Sequence, residues 1–167
     1  MAGRKPQVTQ NSTEKTLTKN IKYMRLSKSM GNASSTTQIT ANYEDIQRGI
    51  TIKNGILIHT MDDETILITG TTSISNETSR INKLLDDCEY DTYIIIYGKN
   101  TDDYESLAKK RTQLLTLGFR NVWIYPGGIF EWILLQDVFG KTQFPTTTTV
   151  NDIIKSRPKS VMCDPRW

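Results

Sequence analysis

The sequence predicts an α/β fold in which a parallel sheet lies between layers of helices, preceded by a basic extension. Two observations carry this. The runs Tyr93–Tyr97 and Asn121–Tyr125 are apolar along nearly their whole length instead of alternating, as strands covered on both faces must be. Each is followed by apolar residues at helical spacing, so strand and helix alternate through short connections, which argues for right-handed crossovers and a parallel sheet.

The elements follow in order. Large apolar residues become frequent near Tyr43 to Ile50, where the ordered part is expected to start. Ile56-Leu57-Ile58 and Thr65-Ile66-Leu67-Ile68 read as two strands joined by the turn-rich Met61-Asp62-Asp63-Glu64. Ser75-Asn76-Glu77 offers capping chemistry for a helix of two or three turns carrying Ile81, Leu84 and Leu85 on one stripe. After Tyr93–Tyr97 and the loop from Gly98 to Asp103, the residues Tyr104, Leu107, Ala108, Leu114 and Leu115 define a helix of about four turns ending at Gly118. Asn121–Tyr125 is the next strand, Pro126-Gly127-Gly128 a turn, and Ile129 to Phe139 an apolar helix stopped by Gly140. The run Thr146 to Thr149 reads as the cap of a short last helix, Val150 to Lys155, with Pro158 preventing extension. The division expected is a basic low-complexity arm over 1–42, a folded domain over 43–158 and a tail over 159–167, whose terminal Trp167 is read as packing back on the domain.

At 167 residues and 37% hydrophobic content the chain supports one core. It holds no run of about 18 apolar residues suited to a membrane span and no secretory leader, so an intracellular protein is expected. The two cysteines, Cys88 and Cys163, and the single histidine, His59, supply neither a disulfide framework nor a metal-ligand cluster. No cofactor is expected. The net charge of +3 hides an asymmetry: Arg4, Lys5, Lys15, Lys19, Lys22, Arg25 and Lys28 face only Glu14 in the first thirty or so residues. That polar segment cannot bury enough surface to offset its ordering entropy, and is expected to be disordered alone. Its seven basic residues are a candidate polyanion contact, to nucleic acid or an acidic protein surface; a solvated tether is the plainer reading.

The segment Gly118-Phe119-Arg120-Asn121-Val122-Trp123-Ile124-Tyr125-Pro126-Gly127-Gly128-Ile129-Phe130-Glu131-Trp132, preceded by an apolar strand, a loop and a helix, resembles the rhodanese family. More narrowly, Ile96-Tyr97-Gly98-Lys99-Asn100 and the stretch from Tyr125 to Asp137 look like the rhodanese-like proteins of giant DNA viruses. The resemblance covers roughly residues 50 to 158 and implies a three-layer rhodanese-like fold.

It also implies an active-site loop between the strand ending at Tyr97 and the next helix, opening with a cysteine whose anionic sulfur is stabilised by aligned N–H groups and the helix dipole. Counted forward from Tyr97, that cysteine falls on Gly98; counted backward from Gly118-Phe119, it falls on Thr101, because the segment is about three residues longer than the family pattern. Cys88 precedes the strand, and a five-residue strand separates its ends by about 16 Å. Cys163 reaches the loop only if the tail folds back. Asp102, Asp103 and Glu105 repel anionic substrates, including the phosphate of a cysteine phosphatase; the plain reading of Asp102 or Asp103 is a cap on the following helix. Thr101 has no base nearby in sequence to activate it, and Lys99 is read as a solvated side chain. The family's Asp-x-Arg would fall near Thr69 to Thr72, where no charge occurs.

The expectation is a loop, Gly98, Lys99, Asn100, Thr101, Asp102 and Asp103, that has lost its sulfur chemistry. No residue is assigned a catalytic or metal-binding role. The domain is then a non-catalytic interaction module or a structural component of a larger assembly such as a virion, residing in the cytoplasm, a viral factory or the particle. The alternatives are an enzyme with altered chemistry at this loop, and a nucleic-acid-associated protein acting through the basic arm.

Overall fold

The computed structural model describes residues 39–51, 55–160 and 162. Three parallel strands, β1 (Gly55–His59), β2 (Tyr93–Tyr97) and β3 (Asn121–Tyr125), form a sheet in the order β1-β2-β3. Five residues of each pair in register, so that His59, Tyr97 and Tyr125 close the carboxyl ends in one row. Among the described residues, four α-helices surround the sheet: α1 (Tyr43–Thr51), α2 (Ile74–Asp86), α3 (Tyr104–Thr116) and α4 (Gly128–Phe139). Both edges are extended by isolated parallel bridges, Thr40 to Ile124 beyond β3 and Thr71 to Leu57 beyond β1.

The alternation of side chains along a strand divides the core into two halves. Leu57, Ile95, Tyr97 and Tyr125 face Ile46 of α1 and Ile129, Trp132 and Ile133 of α4. Ile56, Ile58, Ile94, Ile96, Val122 and Ile124 face Ile81 of α2 and Leu107 and Leu114 of α3. The result is a three-layer α/β fold, and the continuous Tyr-Ile-Ile-Ile-Tyr run is apolar because β2 is the middle strand with a helix layer on either face. The strands Tyr93–Tyr97 and Asn121–Tyr125 and the terminating glycines 118 and 140 are as the sequence predicts.

Three local expectations are corrected. Thr65 to Ile68 is not a strand paired with β1. Instead the segment bonds in patches to the distant threonine run: Thr147 N–H donates to Leu67 O at 2.8 Å, Thr69 N–H to Pro145 O at 3.1 Å, and Thr148 Oγ1 to Thr65 O at 2.6 Å. Those threonines are thereby committed and cap nothing. The short last element is a 3₁₀ helix, Ile153–Ser156, capped by Asp152, whose Oδ1 accepts the Ile154 N–H at 3.0 Å. Helix α2 begins at Ile74, ahead of Ser75-Asn76-Glu77, and its first amide donates to Glu64 Oε1 at 2.6 Å. A carboxylate from the preceding loop there satisfies an orphan N–H and meets the positive end of the dipole.

Candidate functional site

Ligands of open α/β sheets bind beyond the carboxyl ends of the strands, and there the chain places the loop Gly98 to Asp103. Gly98 and Asn100 are buried, Lys99, Thr101 and Asp102 exposed. The loop is fastened to α4 from beneath, since Gly98 O accepts from Ile129 N–H and Lys99 O from Phe130 N–H, each at 2.9 Å. Close approach is what requires Gly128. Its φ is +60°, and a Cβ there would lie 2.5 Å from Gly98 O.

The loop's acidic residues do not cap α3 as the sequence suggested. Asp103 occupies the N-cap position but makes no capping bond with its side chain; its Oδ2 turns back to accept the Lys99 N–H at 2.5 Å. Asp102 Oδ2 accepts the Lys159 N–H at 2.8 Å. Asn100 performs the local capping, with Oδ1 accepting from Asp102 N–H at 2.8 Å while Nδ2 donates to Ser156 O at 2.9 Å. The segment from Asp152 to Lys159 is therefore strapped across the loop, a contact 56 residues distant in sequence.

Beside the loop opens a cleft of about 840 Å³ lined by Thr60, Asp63, Lys99, Asp103, Asp152 and Lys155, among others. Its electrostatics are mixed. The Asp63 carboxyl is held below its ordinary range by the Thr65 hydroxyl and amide, which both donate to it, with nearby Lys99 adding to the effect.

Under the loop lies the row His59, Tyr97 and Tyr125, all at least 96% buried. His59 Nε2 is 3.1 Å from Glu64 Oε1, and its Nδ1 has no partner. The Tyr97 hydroxyl accepts the Ile68 N–H at 3.2 Å and lies 2.8 Å from Thr71 Oγ1, which itself donates to Ile68 O at 2.6 Å. Burial pushes the Tyr97 phenol up to about 12, against the relief those bonds give. Burial, and secondarily the Glu131 carboxylate, raises Tyr125 still further, and its hydroxyl lacks a hydrogen bond of normal geometry. Both phenols are neutral at physiological pH and serve as donors or packing groups, not nucleophiles.

Neither Gly98 nor Thr101 offers a sulfur. Cys88 is exposed at the carboxyl end of α2 with φ +58°, in the C′ position of that helix and before β2 begins. Cys163, Trp167 and the basic residues Arg4, Lys5, Lys15, Lys19, Lys22, Arg25 and Lys28 lie outside the described residues. Among the described residues, no group of three or more His, Cys, Asp or Glu side chains is arranged to hold a metal, and no helix is long and apolar enough to cross a membrane. Sequence reasoning missed the His59–Glu64 pair, the Thr71–Tyr97 contact and the strap.

The family model of the rhodanese-like domain matches residues 40–135, more than half of the chain. The chain belongs to the rhodanese-like family. Solved structures similar to it include rhodanese-like domains of the Alr3790 protein from Anabaena sp. A solution structure is 17% identical, covers 74% of this chain and 86% of that one, and superposes with a TM-score of 0.47. A crystal structure is 16% identical, with coverage of 69% and 96% and a TM-score of 0.46. No curated protein matches the chain. The matched segment begins at the Thr40 bridge and ends within α4, so this rhodanese-like domain contains the whole sheet and the loop within the family match.

Proposed function

We propose that this rhodanese-like domain is catalytically inactive and acts as a protein-interaction module or structural component of a larger assembly, with a virion of the giant-DNA-virus type as the setting that the sequence resemblance suggests. One observation carries the reading: the Asp103 carboxylate sits on the Lys99 amide, inside the loop where a rhodanese holds its anionic sulfur. A tethered carboxylate competes with any thiolate or anionic substrate for the same N–H, and repels it. The forward family register adds support. A Cβ on Gly98 would lie 2.7 Å from both Asp103 Cβ and Oδ2, so a cysteine does not fit there with Asp103 in place. In the other register Thr101 is exposed and carries a hydroxyl, which needs an adjacent base to act as a nucleophile.

Purified full-length protein given thiosulfate and cyanide, and separately an aryl phosphate, is expected to turn over neither above the buffer blank. Thiocyanate formation that disappears in Thr101→Ala or Lys99→Ala, and persists in Cys88→Ser and Cys163→Ser, would replace this reading with an enzyme of altered loop chemistry.

A further inference from the structure

Toward the amino ends of β2 and β3, away from the loop, a cavity of about 270 Å³ opens between α1 and the sheet. Ile95, Tyr93 and Trp123 line it from the strands and Gly49 from the helix. In the parallel register Tyr93 pairs with Asn121 and Ile95 with Trp123, so the three side chains stand on one face and the two aromatic residues are diagonal neighbours there. Their rings lie within 12° of parallel, with centroids 5.6 Å apart, and Tyr93 is 50% exposed. Gly49 keeps the space open: a Cβ at that position meets nothing nearer than Ile95 Cδ1 at 3.7 Å, so a longer side chain grown from it enters the gap between α1 and Ile95.

The lining selects the ligand. The volume lies at the small end of ligand pockets, with room for a single ring system and not for the face of a helix. Near-parallel aromatic rings with one of them half exposed favour a flat π-system. Two charged residues of α1 complete the wall. Asp45 is fixed by an exchange with Asn42, whose N–H donates to Asp45 Oδ2 at 2.9 Å and whose Oδ1 accepts the Asp45 N–H at 3.0 Å. Arg48 Nη2 lies 4.0 Å from Glu44 Oε2, both side chains being more than half exposed, a pair too long and too exposed to hold the guanidinium. Flat apolar contact, a positioned carboxylate and an available guanidinium together match a nucleobase and its phosphate: the rings take the base, the carboxylate accepts from a base N–H, and the guanidinium meets the phosphate.

Charge elsewhere in the chain favours a strand over a free nucleotide. Thr40 also lines the cavity, and Lys28, the last of the seven basic residues that face only Glu14, precedes it by 12 residues, a span of at most about 40 Å. Cations for several further phosphates are thus tethered to the cavity by the chain itself.

We propose that this cavity holds one base of a single-stranded nucleic acid whose phosphates are met by Arg48 and by the basic residues of the arm. The site is separate from the loop and goes beyond the interaction reading above.

The test measures binding of a labelled short oligothymidylate to full-length protein by fluorescence anisotropy, beside a duplex and an abasic strand of the same length and unlabelled thymidine monophosphate as competitor. The strand is expected to bind about tenfold or more tightly than the duplex or the abasic strand, since only an unpaired base can stack. Tyr93→Ala and Gly49→Leu are each expected to weaken the strand about tenfold and to leave the abasic strand unchanged. Arg48→Ala is expected to reduce the salt slope of binding by about one phosphate contact. Tyr93 and Arg48 are exposed, and leucine is a better helix former than glycine, so the thermal midpoint should stay near that of wild type; the strand and duplex comparison on wild type decides independently of any variant. Absence of binding to the strand, equal affinity for strand and duplex, or wild-type affinity in both Tyr93→Ala and Gly49→Leu would each overturn the proposal, the last by leaving the arm as the sole contact. Thymidine monophosphate binding as tightly as the strand would overturn the assignment to a polymer.

Discussion

The hydroxyl of Tyr97, at the end of β2, lies 2.8 Å from Thr71 Oγ1 and also accepts the Ile68 N–H, so that one buried phenol ties the middle strand to the segment crossing the far edge of the sheet. Tyr97→Phe keeps the ring and strands the Ile68 N–H, while Thr71 Oγ1 keeps its bond to Ile68 O. A loss of about 1 to 2 kcal/mol is expected by denaturant unfolding, the cost of leaving a buried polar group unpaired.

The same phenol sets an alkaline limit. Its folded value of about 12 lies above the ordinary 10.0, so between those pH values the folded chain keeps a proton that the unfolded chain has lost. Stability is therefore fully present below pH 10 and falls as pH rises toward 12, by about 2 to 3 kcal/mol for a shift of this size. Tyr125 acts in the same direction. Unfolding curves across this range should show a shallower decline in Tyr97→Phe than in wild type.

At the acid limit the sign reverses. The Glu64 carboxyl is held below its ordinary value, first by the Ile74 N–H and then by His59. A depressed carboxyl contributes stability above its unfolded value, and that contribution disappears as pH falls through the folded one. Glu64→Gln should lower the thermal midpoint at neutral pH and flatten its acid dependence. A midpoint that does not move would show that neither the α2 cap nor the His59 contact matters.

Two helices end in the same motif with different residues. After α3, Gly118 and Phe119 donate to Leu115 O and Leu114 O; after α2, Cys88 and Glu89 donate to Leu85 O and Leu84 O. The C′ residue has positive φ in both, +106° at Gly118 and +58° at Cys88. A cysteine there bears the Cβ strain that glycine avoids. Cys88→Gly is expected to raise stability by about 0.5 to 1 kcal/mol, offset in part by the freer unfolded chain. Gly118→Ala should lower it by about 1 to 2 kcal/mol, with the Tyr90 ring 3.2 Å from the new Cβ.

The plugged loop makes a coupling prediction. Gly98→Ala alone should destabilise by about 1 to 3 kcal/mol through overpacking, because of the 2.7 Å approach to Asp103. Asp103→Gly clears that space, and the cost of Gly98→Ala should fall by about 1 kcal/mol or more in the double variant. Additive effects in the thermodynamic cycle would mean that Asp103 does not fill the position.

The sequence by itself determined the elements whose cause is local. Tyr93–Tyr97 and Asn121–Tyr125 announce themselves because a doubly covered strand must be continuously apolar, and Gly118 and Gly140 because a helix ending in positive φ favours glycine. It also determined that the loop from Gly98 to Asp103 carries no sulfur. Tertiary structure alone decided which partners the polar groups take. Thr65 to Ile68 has the composition of a strand, but its hydrogen bonds go to residues about 80 positions away. Asp103 has the position of a helix cap, yet the folded loop brings the Lys99 amide within its reach, and Asp102 instead meets an amide 57 residues on. A side chain that can satisfy a near or a distant donor equally well leaves the choice to the packing of the whole chain, and no local pattern records it.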